Sequence, residues 1–152
     1  MDIKILSMTD FKNFETSVEY KLLLNICSEY EWITDSNMFW DRYYKKPKED
    51  FYKHKEKFLG NVFYTKIFSY HVIAHMVCVK WPKTWYNIKP FKIKEFDKCC
   101  KKLQKYCKEN GFNSLYTPIF AKEIFEGNWN EILGVLVKNF PNKNLYIFRE
   151  QT

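Results

Sequence analysis

The segment from Thr117 to Leu133, TPIFAKEIFEGNWNEIL, combines a turn of the anion-binding kind with acidic side chains. An apolar run leads into a loop that holds Glu123, Glu126 and Gly127, and an amphipathic stretch follows. Where a strand turns into a helix, free backbone N–H groups point into the space before the helix, and α/β proteins bind phosphate groups there. The sequence therefore predicts a phosphate-type loop that carries two negative charges.

Two histidines could serve as metal ligands. His71 and His75 are four residues apart in the run YHVIAHMVCVK, so they share one face of the strand that this run predicts. A metal site would need a third ligand, and none stands at a spacing that recommends it. A role inside the sheet is therefore favoured over metal binding. His54, in a lysine-rich segment, is predicted to lie in solvent.

The five cysteines are odd in number and form no Cys-x-x-Cys pair. Free thiols in a reducing compartment fit this pattern better than disulfides or zinc. Each lies in an apolar run or on an apolar helix stripe, where a thiol behaves as a small hydrophobic group. The residues are Cys27, Cys78, Cys99, Cys100 and Cys107.

A carboxylate follows the first predicted strand. Asp10, in MTDF, lies at an end of the sheet where α/β proteins tend to bind ligands. It could accept a hydrogen bond from an exocyclic amine such as that of adenine, or it could cap a following helix. On these residues alone, the helix cap is favoured.

Aromatic residues and lysines alternate in DRYYKKPKEDFYKHKEKF, residues 41–58. Lysines on phosphates and rings stacked on bases would make such a segment a nucleic-acid surface. Four acidic residues interrupt the lysines, so no continuous basic stripe forms, and a solvated face is the competing interpretation. These four are Asp41, Glu49, Asp50 and Glu56.

The bulk composition indicates one packed domain spanning residues 1–152. The chain is 46% hydrophobic and 20% aromatic with only 4 Gly, which argues against disorder. The N-terminus has no basic patch before a long apolar run, and no segment approaches the length of a membrane span. A soluble, cytoplasmic protein without membrane contact is therefore expected.

The formal charge of +7 comes almost entirely from lysine. This balance favours anionic partners such as nucleotides, although a scattered lysine coat also keeps proteins soluble. Lys, Asn, Ile, Tyr and Phe are all abundant, which suggests an AT-rich coding genome such as that of a virus, a phage or a low-GC bacterium.

Strand and helix patterns alternate along the chain. Six apolar runs predict strands, and the periodicity of residues 92–110 and 128–139 predicts two amphipathic helices. Residues 36–58 predict a helix that Pro47 splits or kinks, with Gly60 as its stop. This alternation favours an α/β fold with helices on both faces of a mixed sheet. The strand runs are DIKILSM, YKLLLNIC, NVFYTKIF, YHVIAHMVCVK, NSLYTPIF and NKNLYIFRE.

The order of elements and several local phrases resemble the macro domain, the ADP-ribose-binding α/β/α module. The nearest likeness is to its small single-domain branch, which includes phage proteins, ADP-ribose phosphate phosphatases and terminal ADP-ribose glycohydrolases. In that branch a helix ends in Asn-Gly, a strand ends in proline, and Gly-x-Gly-Leu-x-x-Gly-Asp/x-Trp opens the next helix. Here CKENGFNSLYTPIFAKEIFEGNWNEIL follows that layout without a gap from Pro118 to Trp129. The resemblance implies a three-layer α/β/α fold with a mixed central sheet.

The resemblance also implies ligand contacts in the first half of the chain. Asp10 matches the aspartate that contacts adenine in the family. Asn25, taken as the end of the second strand, matches the region beside the distal ribose. The first glycine-rich loop of the family corresponds to residues 28–45, which contain no glycine.

In the second loop, the two glycines of Gly-x-Gly become Ala121 and Glu123, with Lys122 between them. Gly127 keeps its place, and Asn128 replaces the aspartate before the tryptophan. Glycine lets a backbone approach a pyrophosphate closely, whereas a side chain occupies that space.

An anionic Glu123 or Glu126 turned toward the site would repel a diphosphate by roughly 1–4 kcal/mol. For catalysis, the family implies a lysine nucleophile or an acid/base carboxylate. Lys45 is the candidate for the first role, with Lys46 beside it, and Glu123 and Glu126 are candidates for the second. Asn128 cannot transfer a proton at neutral pH, and with Glu131 it matches a helix N-cap and its capping-box partner.

The expected function is binding of ADP-ribose or a related adenine nucleotide metabolite, with removal or sequestration of ADP-ribosyl groups. No cofactor is expected, and hydrolase activity on ADP-ribose derivatives is left open. The alternative is a macro-like scaffold without a nucleotide that binds a protein or nucleic acid through an aromatic, lysine-rich surface. The residues predicted to be exposed there are Trp40, Tyr43, Tyr44, Trp81 and Trp85.

Overall fold

The structure is a computed structural model that describes residues 1–7, 21–32, 40, 44–67, 71–82, 84–119 and 128–148. Strands and helices alternate through these ranges, as the sequence predicts. The strands are β1 (Asp2–Leu6), β2 (Lys21–Ser28), β3 (Val62–Lys66), β4 (His71–Val79), β5 (Ser114–Pro118) and β6 (Asn144–Phe148). The helices are α1 (Lys46–Lys53), α2 (Ile93–Asn110) and α3 (Trp129–Asn139).

The strands form one mixed sheet in the order β1-β6-β5-β2-β4-β3. Neighbouring strands are parallel except at the β3 edge, where β3 runs antiparallel to β4. Both β2 and β4 are buried along their whole length. This burial on both faces explains their near-continuous apolar sequences. The predicted α/β fold with a mixed sheet is confirmed.

Helices cover both faces of the sheet. Strand side chains alternate between faces, so Leu22, Leu24 and Ile26 of β2 pack with the apolar sides of α2 and α3. On the other face, Leu23 packs with Trp40, and Cys27 packs with residues of α1 and β3. The predicted three-layer arrangement is therefore confirmed.

Helix α2 matches its sequence pattern closely. Its apolar stripe is buried and its other faces carry lysines. It ends at Gly111, whose φ of 74° is left-handed and whose N–H donates to the carbonyl of Cys107. Glycine adopts that conformation without the steric cost that other residues meet, so the predicted C-terminal cap is confirmed.

The prediction for residues 36–58 was partly wrong. Trp40 is helical, Tyr44 and Lys45 are not, and α1 begins at Lys46, so the helical pattern is interrupted next to Pro47. Pro47 itself lies in the first turn of α1, where its missing N–H costs no helical bond. The helix ends at Lys53, well before Gly60. Gly60 lies in the turn before β3, with a φ of 90°, and its N–H donates to the Val77 carbonyl at 2.7 Å.

Several exposure predictions are corrected. Trp40 and Tyr44 are buried, because they lie on the sheet face opposite α2 and α3. His54 is half-buried, with its ring stacked on Phe63 at 4.1 Å between centroids. Trp81 is half-buried against the α2 side of the core. Trp85 is 88% exposed, as predicted. Tyr43 lies outside the described residues.

All five cysteines are free and buried. Burial raises the pKa of the Cys99 thiol to about 12 and that of Cys107 to about 11. A thiol with a raised pKa is a poor nucleophile at neutral pH, which agrees with the role as small hydrophobic groups. Among the described ranges, no helix has the length and apolar character needed to cross a membrane.

Candidate functional site

The parallel strands place their carboxyl ends along one edge of the sheet. From this edge the chain leaves β2 toward β3 and β4, and it leaves the neighbouring β5 toward β6 on the other side. Open α/β sheets bind ligands outside the carboxyl ends of strands at such a switch in direction. The candidate site is therefore the space above β2 and β5.

The pairing between these two strands is short. It joins Leu22 to Leu115 and Leu23 to Tyr116, whereas β2 continues to Ser28. The carboxyl half of β2 therefore extends beyond its ladder with β5. This half of β2 is buried, and its backbone groups on the β5 side take other partners.

Trp40 supplies one of these partners. Its indole N–H donates to the carbonyl of Leu24 at 2.9 Å, immediately after the last residue of β2 that pairs with β5. The ring packs against Tyr44 at 6.3 Å and edge-on against Phe148 at 6.4 Å between centroids. Trp40 is fully buried. It therefore fills the sheet face beneath the candidate site.

Trp40 was missed as a site-supporting residue because its segment is rich in charge. A sequence signal was nevertheless present, because Trp40 and Tyr44 are four residues apart, which is one helical turn. In the structure, the Tyr44 N–H donates to the Trp40 carbonyl at 2.9 Å. An aromatic pair at that spacing marks one face of a helical turn.

The predicted phosphate-type loop starts and ends at this edge. Thr117, next to the end of β5, is buried, and its hydroxyl donates to the Pro118 carbonyl at 2.7 Å. Asn128 caps α3, as predicted, and its side chain accepts a hydrogen bond from the Asn130 N–H at 2.9 Å. The first turn of α3 therefore presents its N–H groups and its positive dipole end at the carboxyl edge.

Most of the residues predicted for ligand contact lie outside the described residues. Their flanking positions are described, because Ser7 follows β1, Ile119 follows β5 and Asn128 begins α3. The structure therefore brings the connections that contain them to one edge of the sheet. These residues are Asp10, Ala121, Lys122, Glu123, Glu126 and Gly127.

The end of β2 closes in a tight turn. The Ser28 hydroxyl donates to the Glu31 carbonyl at 2.7 Å and accepts from the Glu31 N–H at 3.0 Å. Trp32 follows and is buried against Phe51. The chain therefore folds back over the sheet directly after β2.

Asn25 lies inside β2, three residues before its end, which corrects the predicted position. It is buried, and its amide N–H donates to Nδ1 of His75 at 3.1 Å. Nε2 of His75 then donates to the hydroxyl of Thr65 at 2.9 Å. These three buried side chains form a polar chain across β2, β4 and β3.

His75 is a core histidine with both ring nitrogens hydrogen-bonded. Its ring stacks on Phe63 at 4.5 Å and meets Trp32 edge-on at 6.0 Å between centroids. Burial, and secondarily the nearby His54, lowers the pKa of His75 to about 3. The imidazole is therefore neutral at physiological pH. Among the residues that the structure describes, no group of three or more His, Cys, Asp or Glu side chains could hold a metal ion.

Lys45 lies toward the opposite edge of the sheet. The next residue, Lys46, donates to the carbonyl of Lys66 at 2.9 Å, and Lys66 pairs with Val72 near the amino end of β4. Lys45 is exposed, and with Tyr44 and two α1 residues it lines an open depression of about 360 Å³.

No family model matches the sequence, and no curated protein matches it either. Solved structures share its fold at low sequence identity. A Bacteroides thetaiotaomicron protein of unknown function has a TM-score of 0.83 at 14% identity, with 99% of each chain covered. A Streptomyces coelicolor macrodomain protein has a TM-score of 0.76 at 14% identity, covering 99% of this chain and 100% of that one. An Oceanobacillus iheyensis macrodomain solved with ADP has a TM-score of 0.62 at 10% identity, covering 89% and 78%.

Proposed function

We propose that this chain, which has the macrodomain fold, binds ADP-ribose or a related adenine nucleotide metabolite at the carboxyl edge of its sheet. The observation that carries the proposal is the switch in chain direction between the neighbouring parallel strands β2 and β5. A structural neighbour with the same fold was solved with ADP. The net charge of +7 favours an anionic ligand.

The ligand's phosphates are proposed to lie at the start of α3. The N–H groups there and the positive end of the helix dipole suit a diphosphate. The Asn128 cap bond satisfies the Asn130 N–H, so the other N–H groups of the first turn and those of the loop would serve the ligand. Ala121, Lys122, Glu123 and Gly127 belong to that loop.

Asp10 is proposed to bind the adenine. It follows β1, which lies two strands from β5 in the sheet order. Two strand spacings correspond to roughly 10 Å, a separation that one extended nucleotide can bridge. A carboxylate on the exocyclic amine would select adenine over bases that lack a donor there.

The ribose contact proposed for Asn25 has a cost. Its amide N–H is held by His75 inside the sheet, so turning that N–H toward a ligand would break a buried hydrogen bond worth roughly 1 kcal/mol. The contact therefore requires the second amide N–H, the amide oxygen or a displacement of the polar chain.

Isothermal titration calorimetry with ADP-ribose, ADP and NAD tests the proposal. We expect heat of binding with ADP-ribose and a weaker affinity in the Asp10→Ala variant. The exposed α2 residue Glu109 provides a matched control, because Glu109→Ala removes a carboxylate far from the proposed site. No heat with any of the three ligands, or an Asp10→Ala affinity equal to that of the control, would contradict the proposal.

A further inference from the structure

The loop between β4 and α2 carries the most exposed aromatic pair described in the molecule. Trp85 is 88% and Tyr86 is 76% exposed, and Ile88 beside them is 56% exposed. The sheet and helices leave these rings outside the core. Large exposed rings next to each other mark interaction sites more often than isolated exposed residues do.

The pair occupies the tip of a closed turn. Thr84 N–H donates to the Asn87 carbonyl at 3.2 Å, and Asn87 N–H donates to the Thr84 carbonyl at 3.1 Å. Trp85 and Tyr86 are the two residues between them, with ring centroids 5.4 Å apart and ring planes at 87°. The two flat faces therefore point in different directions from one fixed backbone.

Asn87 anchors this turn to the body of the protein. Its buried amide N–H groups donate to the carbonyls of Lys80 at 2.7 Å and Pro82 at 3.1 Å. Its amide oxygen accepts from Nζ of Lys92 at 2.9 Å. The base of the loop is closed by Lys80 N–H donating to the Pro90 carbonyl at 2.8 Å. A loop held this way loses little conformational entropy when a partner binds.

The loop is also uniformly basic. Residues 80–92, KWPKTWYNIKPFK, contain four lysines and no acidic residue. This differs from residues 41–58, where carboxylates interrupt the lysines. Lys80 and Lys89 are exposed. The loop therefore combines stacking surfaces with a local positive charge.

We propose that this loop binds single-stranded nucleic acid, with Trp85 and Tyr86 stacking on bases and the lysines contacting the phosphate backbone. Exposed rings within a basic surface are the recognition elements of single-strand binding, which depends on stacking and little on sequence. An anionic membrane is the competing partner for such a loop. Ile88 is its one exposed aliphatic residue among those described, which gives little apolar area to bury in lipid.

Fluorescence anisotropy tests the stacking contribution. Labelled single-stranded DNA and RNA of about 12 nucleotides, matching the site sizes of single-strand binders, are titrated at low salt. We expect Trp85→Ala and Tyr86→Ala each to weaken binding about tenfold. Trp85→Phe should retain most of the affinity because it keeps a stacking ring. Ile88→Ala is the matched control and should leave binding unchanged.

The salt dependence tests the phosphate contacts. Each lysine lost from a single-strand contact lowers the slope of log K against log salt by about 0.7. We expect Lys89→Gln to reduce the slope by this amount. The α2 residue Lys105, which is similarly exposed, should leave the slope unchanged when replaced by Gln. A difference between the DNA and RNA titrations identifies which nucleic acid is preferred.

Two outcomes would overturn the proposal. The first is no binding of either oligonucleotide at low salt, including the case in which the protein binds anionic lipid vesicles instead. The second is oligonucleotide binding that survives the double variant Trp85→Ala/Tyr86→Ala. Because both rings are exposed, we expect the variants to fold, and unchanged thermal unfolding by circular dichroism checks this. The proposal is independent of ADP-ribose binding, so calorimetry with ADP-ribose should give the same affinity for wild type and double variant.

Discussion

His75 shows how a single buried group couples the stability of this fold to pH. Its folded pKa is about 3, against an ordinary value of 6.5, because burial disfavours the charged imidazole. Between these values the unfolded chain binds a proton that the folded chain excludes. The stability that the neutral ring provides is therefore complete above pH 6.5 and is lost as the pH falls toward 3.

We expect the free energy of unfolding to drop by about 2 kcal/mol from His75 alone when the pH falls from about 7 to about 5. Urea unfolding at several pH values measures it. His75→Gln keeps an amide near Asn25 and Thr65 but cannot titrate in this range, so its loss should be smaller by that amount. Equal losses in wild type and variant would show that His75 takes up its proton without unfolding.

Glu123 and Glu126 provide a second test at the residue scale. If the loop faces the ligand, removing either charge relieves repulsion of the diphosphate. We expect Glu123→Gln or Glu126→Gln to tighten ADP-ribose binding by about 1 kcal/mol, measured by calorimetry. Glu109→Gln on α2 is the control for a general change in net charge. Affinities equal to the control in both variants would show that these carboxylates turn away from the phosphates.

Trp40 links the residue to the element, because its ring packs against the sheet and its indole N–H donates to the Leu24 carbonyl of β2. Trp40→Ala should lower the free energy of unfolding by about 3–5 kcal/mol through lost burial and a cavity. Trp40→Phe should cost about 1–2 kcal/mol, since it mainly leaves the Leu24 carbonyl without its donor. The control is Trp85→Ala, which should change stability by no more than about 0.5 kcal/mol. Denaturant titration measures all three, and a Trp40→Ala loss as small as that of Trp85→Ala would contradict this assignment.

Replacing Gly111 or Gly134 by alanine should change the stability of the protein in opposite directions. Gly111 ends α2 with a φ of 74°, and a methyl group there meets no atom within 4 Å, so only backbone strain opposes alanine. We expect Gly111→Ala to destabilise by about 1 kcal/mol. Gly134 lies inside α3, with equally open space, and Gly134→Ala should stabilise by about 0.5–1 kcal/mol. Thermal unfolding of the two variants distinguishes them, and shifts of the same sign would disprove the conformational argument.

At the scale of the whole molecule, the position of Lys45 relative to the sheet leads to a test of its proposed catalytic role. The loop that contains Glu126 leaves from the carboxyl edge, whereas Lys45 lies toward the amino edge. We therefore expect Lys45→Ala to keep both the ADP-ribose affinity and any turnover of the wild type. Release of ADP-ribose from a modified protein, and of phosphate from ADP-ribose phosphate, measure turnover. A selective loss in Lys45→Ala would identify it as the nucleophile after all.

The sequence predicted the sheet and the long helices because their patterns are set by burial. The sequences of β2 and β4 are continuous apolar runs because both faces of these strands are covered. In α2, apolar residues recur at helical spacing and lysines occupy the other faces. It could not predict the start of α1, because a proline interrupts a helix or begins it depending on where the first turn falls.

The position of the candidate site could be predicted from the sequence, whereas the side chains that surround it could be predicted only in part. Its position follows from where parallel strands end, which the strand order determines. The buried state of Trp40 was not predictable from charge, because polar and charged residues surround it in the sequence while its ring packs against the sheet. The contact between Asn25 and His75 joins residues fifty positions apart, and only the strand pairing reveals it.

The polar chain of Asn25, His75 and Thr65 also fixes how three strands align. A strand that slips by one residue turns every side chain to the other face. If β2, β4 or β3 slipped in this way, its polar side chain would move into the apolar layer under α2. At least one hydrogen bond of the polar chain would then be lost, and both of its groups would be unsatisfied in the interior. Apolar residues alone would tolerate several alignments of β2 and β4, which are buried on both faces. The three polar side chains can hydrogen-bond to one another only in the native register, so they favour that register when the strands pair during folding.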